Sequence, residues 1–236
     1  MVKILKVKGG EIPYILTRKK VKNINFRLKP DCILYISANP KVPEKYIQEL
    51  ISENSVNFLD AIEKIKEKET LKNKAAKDEE NNFYFLGKKY NIEIIPSNKN
   101  YCILKDKLYV YAENSEGYVL ALQKFIQDET RRIYCDVVDK TYNMLKADGT
   151  PCPAKISVKK MTSRWGSCTP SKRNISLNVE LIKYPIGCLK YVVLHEFAHF
   201  HVAAHNKDFY AYIEKYMKDY KTYINILKKP YYEVSE

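Results

Sequence analysis

Residues 193–209, VLHEFAHFHVAAHNKDF, hold all four histidines of a 236-residue chain: His195, His199, His201 and His205. That arrangement constrains the local fold. Side chains four apart share a face only on a helix, so His195 and His199 reach one ion only if the run 186–203 is helical. Glu196 then sits about 100° around the axis, toward the open side of such an ion, where it can act on a water instead of ligating. Ile186, Leu189, Val193, Phe197 and Phe200 form an apolar stripe about 140° from the histidines, which therefore point away from the core and into a cleft.

A catalytic zinc site takes three protein ligands and leaves one position for water. On an unbroken helix His205 would lie about two turns along and far around from His199, out of reach. Asn206, however, is a good N-cap before the apolar-periodic KDFYAYIEKYM, so a second helix is expected from 207, leaving His205 in the corner between the two. His205 is the favoured third ligand, with Glu214 on the following helix as the alternative. His201 is expected to point elsewhere.

The rest of the chain excludes several other chemistries. Its six cysteines are scattered, no two closer than sixteen residues, so neither a CxxC redox pair nor a cysteine-rich metal site is available. No stretch is apolar for the ~18 residues a membrane span requires, and the N-terminus lacks an apolar signal core, so a cytoplasmic location is expected. The formal net charge is +13, and residues 1–50 carry 11 Lys+Arg against 4 Asp+Glu. The densest patch, RKKVKNINFRLK at 18–29, has six basic residues and no acid. With only six arginines in the chain, bidentate base and phosphate recognition is poorly supplied, and a weak polyanion contact through 18–29 is the most this patch predicts.

Alternation and turn residues divide the chain. Residues 1–66 read as a β-meander (IPYILT, NINFRL, CILYIS) followed by a helix. The aromatic-free stretch 67–82 reads as a charged linker or exposed helix end. Residues 83–150 repeat the pattern: a meander (FYFLG, KYNIEIIP, YCILK, KLYVYA), then a long helix over 116–147. In 151–236, AKISVKKM and NISLNVEL read as a β-hairpin around the loop TSRWGSCTPSKR, feeding the histidine helix.

RWGSC (Arg164–Cys168), NISLN (Asn174–Asn178), YVVLHEFAHF and HNKDF occur in an order and spacing that resemble the YgjP-like metallopeptidase domain, related more distantly to SprT/Spartan-like and WLM zinc peptidases. YILTRKKVKNINFRL and FLGKKYNIEI are similar to the same family, so the resemblance covers most of the chain. It implies an α+β fold whose C-terminal catalytic domain, 151–236, is zincin-like: a β-hairpin plus the HExxH helix. It also implies that His195, His199 and His205 are zinc ligands for one Zn²⁺ per chain and that Glu196 is the catalytic base. Asn206 stands where the family commonly has Ser, and both can cap. Within RWGSC, Trp165 is expected to pack and Gly166 to permit a turn, the alternative placing Arg164 or Cys168 near the cleft. NISLN fits a sheet edge that pairs with an extended substrate.

The expected function is a zinc-dependent endopeptidase acting on a peptide or protein substrate, with a metal-activated water and Glu196 as general base. The alternative, motivated by the basic N-terminal region, is a nucleic-acid- or ribosome-associated protein with a structural or vestigial zinc site, or a peptidase acting on DNA-bound proteins.

Overall fold

The computed structural model describes residues 1–235. The fold is mixed α+β and divides into two compact units, Met1–Lys77 and Asp78–Glu236.

The first unit contains β1 (Lys3–Val7), β2 (Gly10–Arg18), β3 (Asn25–Leu28), β4 (Leu34–Ala38), α1 (Glu44–Glu53) and most of α2 (Ser55–Glu79). In β4, LYISA, every second residue is buried, which places Leu34, Ile36 and Ala38 on one face. They pack with Ile12 and Tyr14 of β2 against Ile47 and Ile51 of α1 and Ile62 of α2. The Tyr14 hydroxyl donates to Glu44 Oε1 at 2.9 Å and accepts from Gln48 Nε2 at 3.0 Å, so its buried polar end is satisfied. The charged stretch from 67 onward is helical as far as Glu79.

The second unit opens with β5 (Asn82–Phe85), β6 (Lys88–Pro96), β7 (Tyr101–Leu104), β8 (Leu108–Ala112) and the 31-residue α3 (Ser115–Leu145). Asn114 caps α3, its Oδ1 accepting from the Gly117 N–H at 2.9 Å. Here β8, LYVYA, repeats the burial alternation of β4.

The two four-stranded sheets have the same order, β1-β2-β4-β3 and β5-β6-β8-β7, and neither is the expected meander. In each, the second and fourth strands pair in parallel, Tyr14 opposite Leu34 and Ile92 opposite Leu108, while the third strand lies outside as an antiparallel edge. A parallel pair needs a crossover of about a dozen residues, and the third strand with its flanking loops supplies it. Alternation identifies strands but not their neighbours.

The remaining elements are β9 (Lys155–Lys159), β10 (Gly166–Thr169), β11 (Asn174–Asn178), α4 (Ile186–Ala198), α5 (Lys207–Tyr216) and α6 (Tyr220–Leu227). The expected two-strand hairpin is instead a three-stranded sheet, β10-β11-β9. β9 and β11 are parallel, and the presumed loop contributes β10, antiparallel to β11. NISLN is therefore the central strand, with both edges paired, and β10 and β9 are the sheet's two edges. The reading of NISLN as an edge is corrected accordingly.

Residues on both sides of position 150 share one core. Tyr134, Val137 and Val138 of α3 lie in the same cluster as Leu177 of β11 and Leu189, Val193 and Phe197 of α4. The Tyr134 hydroxyl donates to the Asn178 carbonyl at 3.0 Å, tying the middle of α3 to the end of β11. Among the described residues no helix is long and apolar enough to cross a membrane.

Candidate metal centre

α4 carries its apolar residues into the core and its last turn into a cleft of about 540 Å³. His195 and Glu196 lie within the helix, and His199 is its C-cap residue, still helical at φ −66°, ψ −14°. The helix is shorter than the expected 186–203 run. It closes with Phe200 N–H bonding to the Phe197 carbonyl and His201 N–H to the Ala198 carbonyl, both at 3.0 Å. The chain then turns, and α5 begins at Lys207 with Asn206 Oδ1 accepting from the Phe209 N–H at 3.1 Å.

That corner brings His205 back to the helix. One ligating atom from each of His195, His199 and His205 lies within 4.8 Å of the others, and His195 Nε2 is 3.0 Å from His205 Nε2. Two nitrogens bound tetrahedrally to one zinc at ~2.0–2.1 Å lie about 3.3 Å apart, so a small shift fits the set to an ion. Among the described residues no fourth His, Cys, Asp or Glu joins the group. Glu214 is exposed on α5 and outside it. His201 is also outside, its Nε2 2.7 Å from Thr150 Oγ1.

The imidazoles are held from behind. His199 Nδ1 lies 3.2 Å from the Val202 carbonyl, a contact that requires the proton on Nδ1 and leaves Nε2 as the free donor. The Tyr191 hydroxyl, one turn earlier on α4, lies 3.4 Å from His195 Nδ1. Phe209, fully buried, forms a shared floor, with ring centroids 4.9, 4.8 and 4.7 Å from His195, His199 and His205. Burial, reinforced by the neighbouring His199 and His205, pulls His195 down to about 4, and burial also lowers His199. Both are therefore neutral lone-pair donors at neutral pH, the form a metal requires.

Glu196 is 4% exposed, and burial pushes its carboxyl up to about 8, with Arg164 pulling in the opposite direction. A nearby divalent ion would favour the carboxylate, the form able to accept a proton. The opposite wall is β10. A β-carbon at Gly166 would meet Glu196 Oε1 at 2.5 Å and Cδ at 2.9 Å. Gly166 therefore provides space for the carboxyl, and its φ is not positive, so the expected turn role is corrected. Trp165 does pack, edge-on to Tyr184 at 5.0 Å, while Arg164 and Cys168 line the cleft. Burial and Glu196 hold the Cys168 thiol up at about 11, protonated and outside the histidine group.

The residues that reasoning from sequence missed are those whose partners are distant: Gly166 against Glu196, Phe209 beneath three rings, and Asn178. The Asn178 amide donates to the Met161 and Arg164 carbonyls at 2.9 and 3.1 Å, pinning the segment that leads into β10.

A family model described as "YgjP-like, metallopeptidase domain" matches residues 22–230. The chain belongs to the YgjP-like metallopeptidase family. Membership implies a metal-dependent hydrolase of peptide bonds, the metal usually being zinc. One solved structure, the crystal structure of the metallopeptidase zymogen of Pyrococcus abyssi abylysin, is similar over 40% of this chain and 90% of its own, with 17% identity and a TM-score of 0.36. No curated protein matches this YgjP-like chain.

Proposed function

We propose that this YgjP-like protein is a zincin-like endopeptidase that holds one zinc ion per chain on His195, His199 and His205. The observation that carries the reading is the open three-imidazole cluster with the Glu196 carboxyl beside it, under the edge strand of a cleft.

Zinc bound there would supply a Lewis acid that lowers the pKa of water from 15.7 toward ~7 and polarises the scissile carbonyl. Glu196 accepts a proton on a carboxylate oxygen from the attacking water and then delivers it to the leaving amine. Gly166 keeps that carboxylate against β10, and the Val202 carbonyl and Tyr191 hydroxyl orient His199 and His205's neighbour His195. The unpaired edge of β10 offers main-chain donors and acceptors along which an extended peptide can lie, and its position across the cleft from α4 suits cleavage within a chain.

A structural zinc site is closed by a fourth protein ligand. None is present among the described residues, which favours catalysis over the binding-protein alternative. The basic patch at 18–29 supports at most an accessory polyanion contact: Lys19, Lys20, Lys22 and Arg27 are exposed, and no ion pair among the described residues involves them. Such a contact would weaken steeply with added salt.

The test combines metal content with hydrolysis. Tag-free protein should carry about one zinc per chain and cleave peptides internally, whereas Glu196→Gln should keep the zinc and lose cleavage. A folded chain that takes up no zinc when it is supplied would overturn the proposal.

A further inference from the structure

Beyond the cleft, on the far side of Arg164 and Trp165, lies a second recess of about 440 Å³ that shares those two residues with it. Its walls are the faces of Trp165, Tyr184 and Tyr231 together with Met161 and Pro230.

Apart from the exposed Arg164 guanidinium, which lies at the boundary with the cleft, the polar groups around it are already committed. The Tyr184 hydroxyl donates to the Lys229 carbonyl at 2.9 Å, and the Tyr231 hydroxyl to Glu79 Oε1 at 2.7 Å. Asn178 uses both amide protons on the Met161 and Arg164 carbonyls, and its Oδ1 accepts from the Met161 and Glu180 N–H groups at 3.3 and 3.2 Å. Glu180 is paired with Lys183 at 3.1 Å, and Lys183 is also bonded to Glu79 at 2.6 Å and lies over the Tyr231 ring at 4.5 Å. The only unspent hydroxyls, Thr162 and Ser163, are exposed at the rim.

A carboxylate could reach the Arg164 guanidinium at the mouth, but an amide side chain entering deeper would lose water and find every other polar group already paired. An aromatic or large aliphatic one would lose nothing and gain ring faces. The recess begins where β10 begins, so a peptide lying along the free edge of β10 reaches its mouth.

We infer that this recess is a specificity pocket for an aromatic or large aliphatic side chain of the substrate, walled by Trp165, Tyr184 and Tyr231. The inference rests on the peptidase reading, since the occupant belongs to the peptide spanning the cleft. Trp165 is the only tryptophan in the chain and borders both cleft and recess, so its emission reports a bound peptide without any need for turnover, and the side-chain preference assigns it to the recess.

The experiment titrates full-length Glu196→Gln protein with two blocked pentapeptides, acetyl-Ala-Ala-Phe-Ala-Ala-amide and its Asn-for-Phe counterpart, following Trp165 fluorescence. The Phe peptide should shift the emission saturably and bind about tenfold or more tighter than the Asn peptide. Met161→Arg in the same background should erase that preference. Met161 is half-buried and is bonded to Asn178 only through its backbone, so the fold should survive, as circular dichroism would verify. Equal affinity for both peptides, or an unaltered preference in Met161→Arg, overturns the pocket. Cleavage of a peptide library by wild-type protein separates the two claims. Cleavage without preference for a large apolar residue at a fixed distance from the scissile bond defeats the pocket and leaves the peptidase standing. Binding of the Phe peptide at Trp165 with no cleavage at all retains the pocket and defeats the peptidase.

Discussion

Gly166 and Glu196 are packed so closely that a single methyl group on residue 166 would sit 2.5 Å from the Glu196 carboxylate oxygen. One of them starts an edge strand and the other lies in the last turn of α4, so the Glu196 carboxyl is positioned by a strand as well as by its own helix. Gly166→Ala must push Glu196 aside, because the contact is with the carboxyl carbon as well as the oxygen. A displacement of about 1 Å at a catalytic group costs on the order of 100-fold in rate. Gly166→Ala should therefore lose about that much kcat/KM while retaining its zinc, as metal analysis beside peptide kinetics would show. Unchanged kinetics would mean that Glu196 is not held by this contact.

The same burial gives the metal-free protein a pH signature. With its folded-state pKa at about 8, Glu196 stays neutral in the fold while the unfolded chain ionises near 4.5. Between those values the unfolded state binds fewer protons, so this group's contribution is present in full below about 4.5 and is lost as pH rises toward 8. The loss is at most ~1.4 kcal/mol per pH unit. Gln is a neutral isostere of the protonated acid, so metal-free Glu196→Gln should gain stability over wild type steadily from pH 5 to pH 8. Urea melts of chelator-treated protein at several pH values measure this, and parallel curves for the two proteins would contradict it.

What the sequence made legible was what local geometry controls. The HEFAH spacing requires a helix face, and Asn206 ahead of KDFYAYIEKYM requires a new helix, so the corner that delivers His205 follows from short-range rules. The alternation in LYISA and LYVYA likewise marks β4 and β8 with no knowledge of their neighbours. Non-local pairing was not legible. GSCT has no apolar alternation, and β10 is a strand only because β11 lies beside it. The parallel pairs β2–β4 and β6–β8 depend on where the intervening strand docks, which period-2 patterning leaves open. Gly166 and Phe209 have ordinary local explanations, a turn and a helix core position. Their contacts with Glu196 and with three imidazoles emerge only once the sheet and both helices are assembled.

The cysteines should react in the order set by exposure and charge cost. Cys135 and Cys152 are exposed, whereas burial pushes Cys102 up to about 11 and Cys188 up to about 12, and Cys168 is held up at about 11. At pH 8 a thiol with a pKa near 11 is thiolate about one part in a thousand, and the thiolate is the nucleophile. Iodoacetamide should therefore label Cys135 and Cys152 in native protein well before Cys102, Cys168 and Cys188, with all six equal in denaturant. Peptide mapping by mass spectrometry reads the order, and early labelling of Cys188 would show that α4 opens readily.

His201, the histidine that stays out of the cluster, anchors the corner that builds it. Its Nε2 lies 2.7 Å from Thr150 Oγ1, Thr150 Oγ1 lies 3.2 Å from the Tyr212 hydroxyl, and the His201 and Tyr212 rings pack at 4.8 Å. The turn between α4 and α5 is thus fastened both to the segment after α3 and to α5 itself, four residues before His205 enters the cluster. His201→Ala removes the fastening but leaves the three cluster imidazoles and Glu196 chemically intact. Supporting contacts behind a metal ligand are worth about 10–100-fold in metal affinity, so zinc should be lost to a chelator at roughly tenfold lower chelator concentration than in wild type. Stability should fall by about 1 kcal/mol, the net worth of one hydrogen bond, because Thr150 keeps Tyr212 as a partner. His201→Asn, which can still reach toward Thr150, should recover part of the affinity, whereas His199→Ala should abolish stoichiometric binding. Wild-type zinc retention in folded His201→Ala would show that Phe209 and the Asn206 cap hold the corner without it.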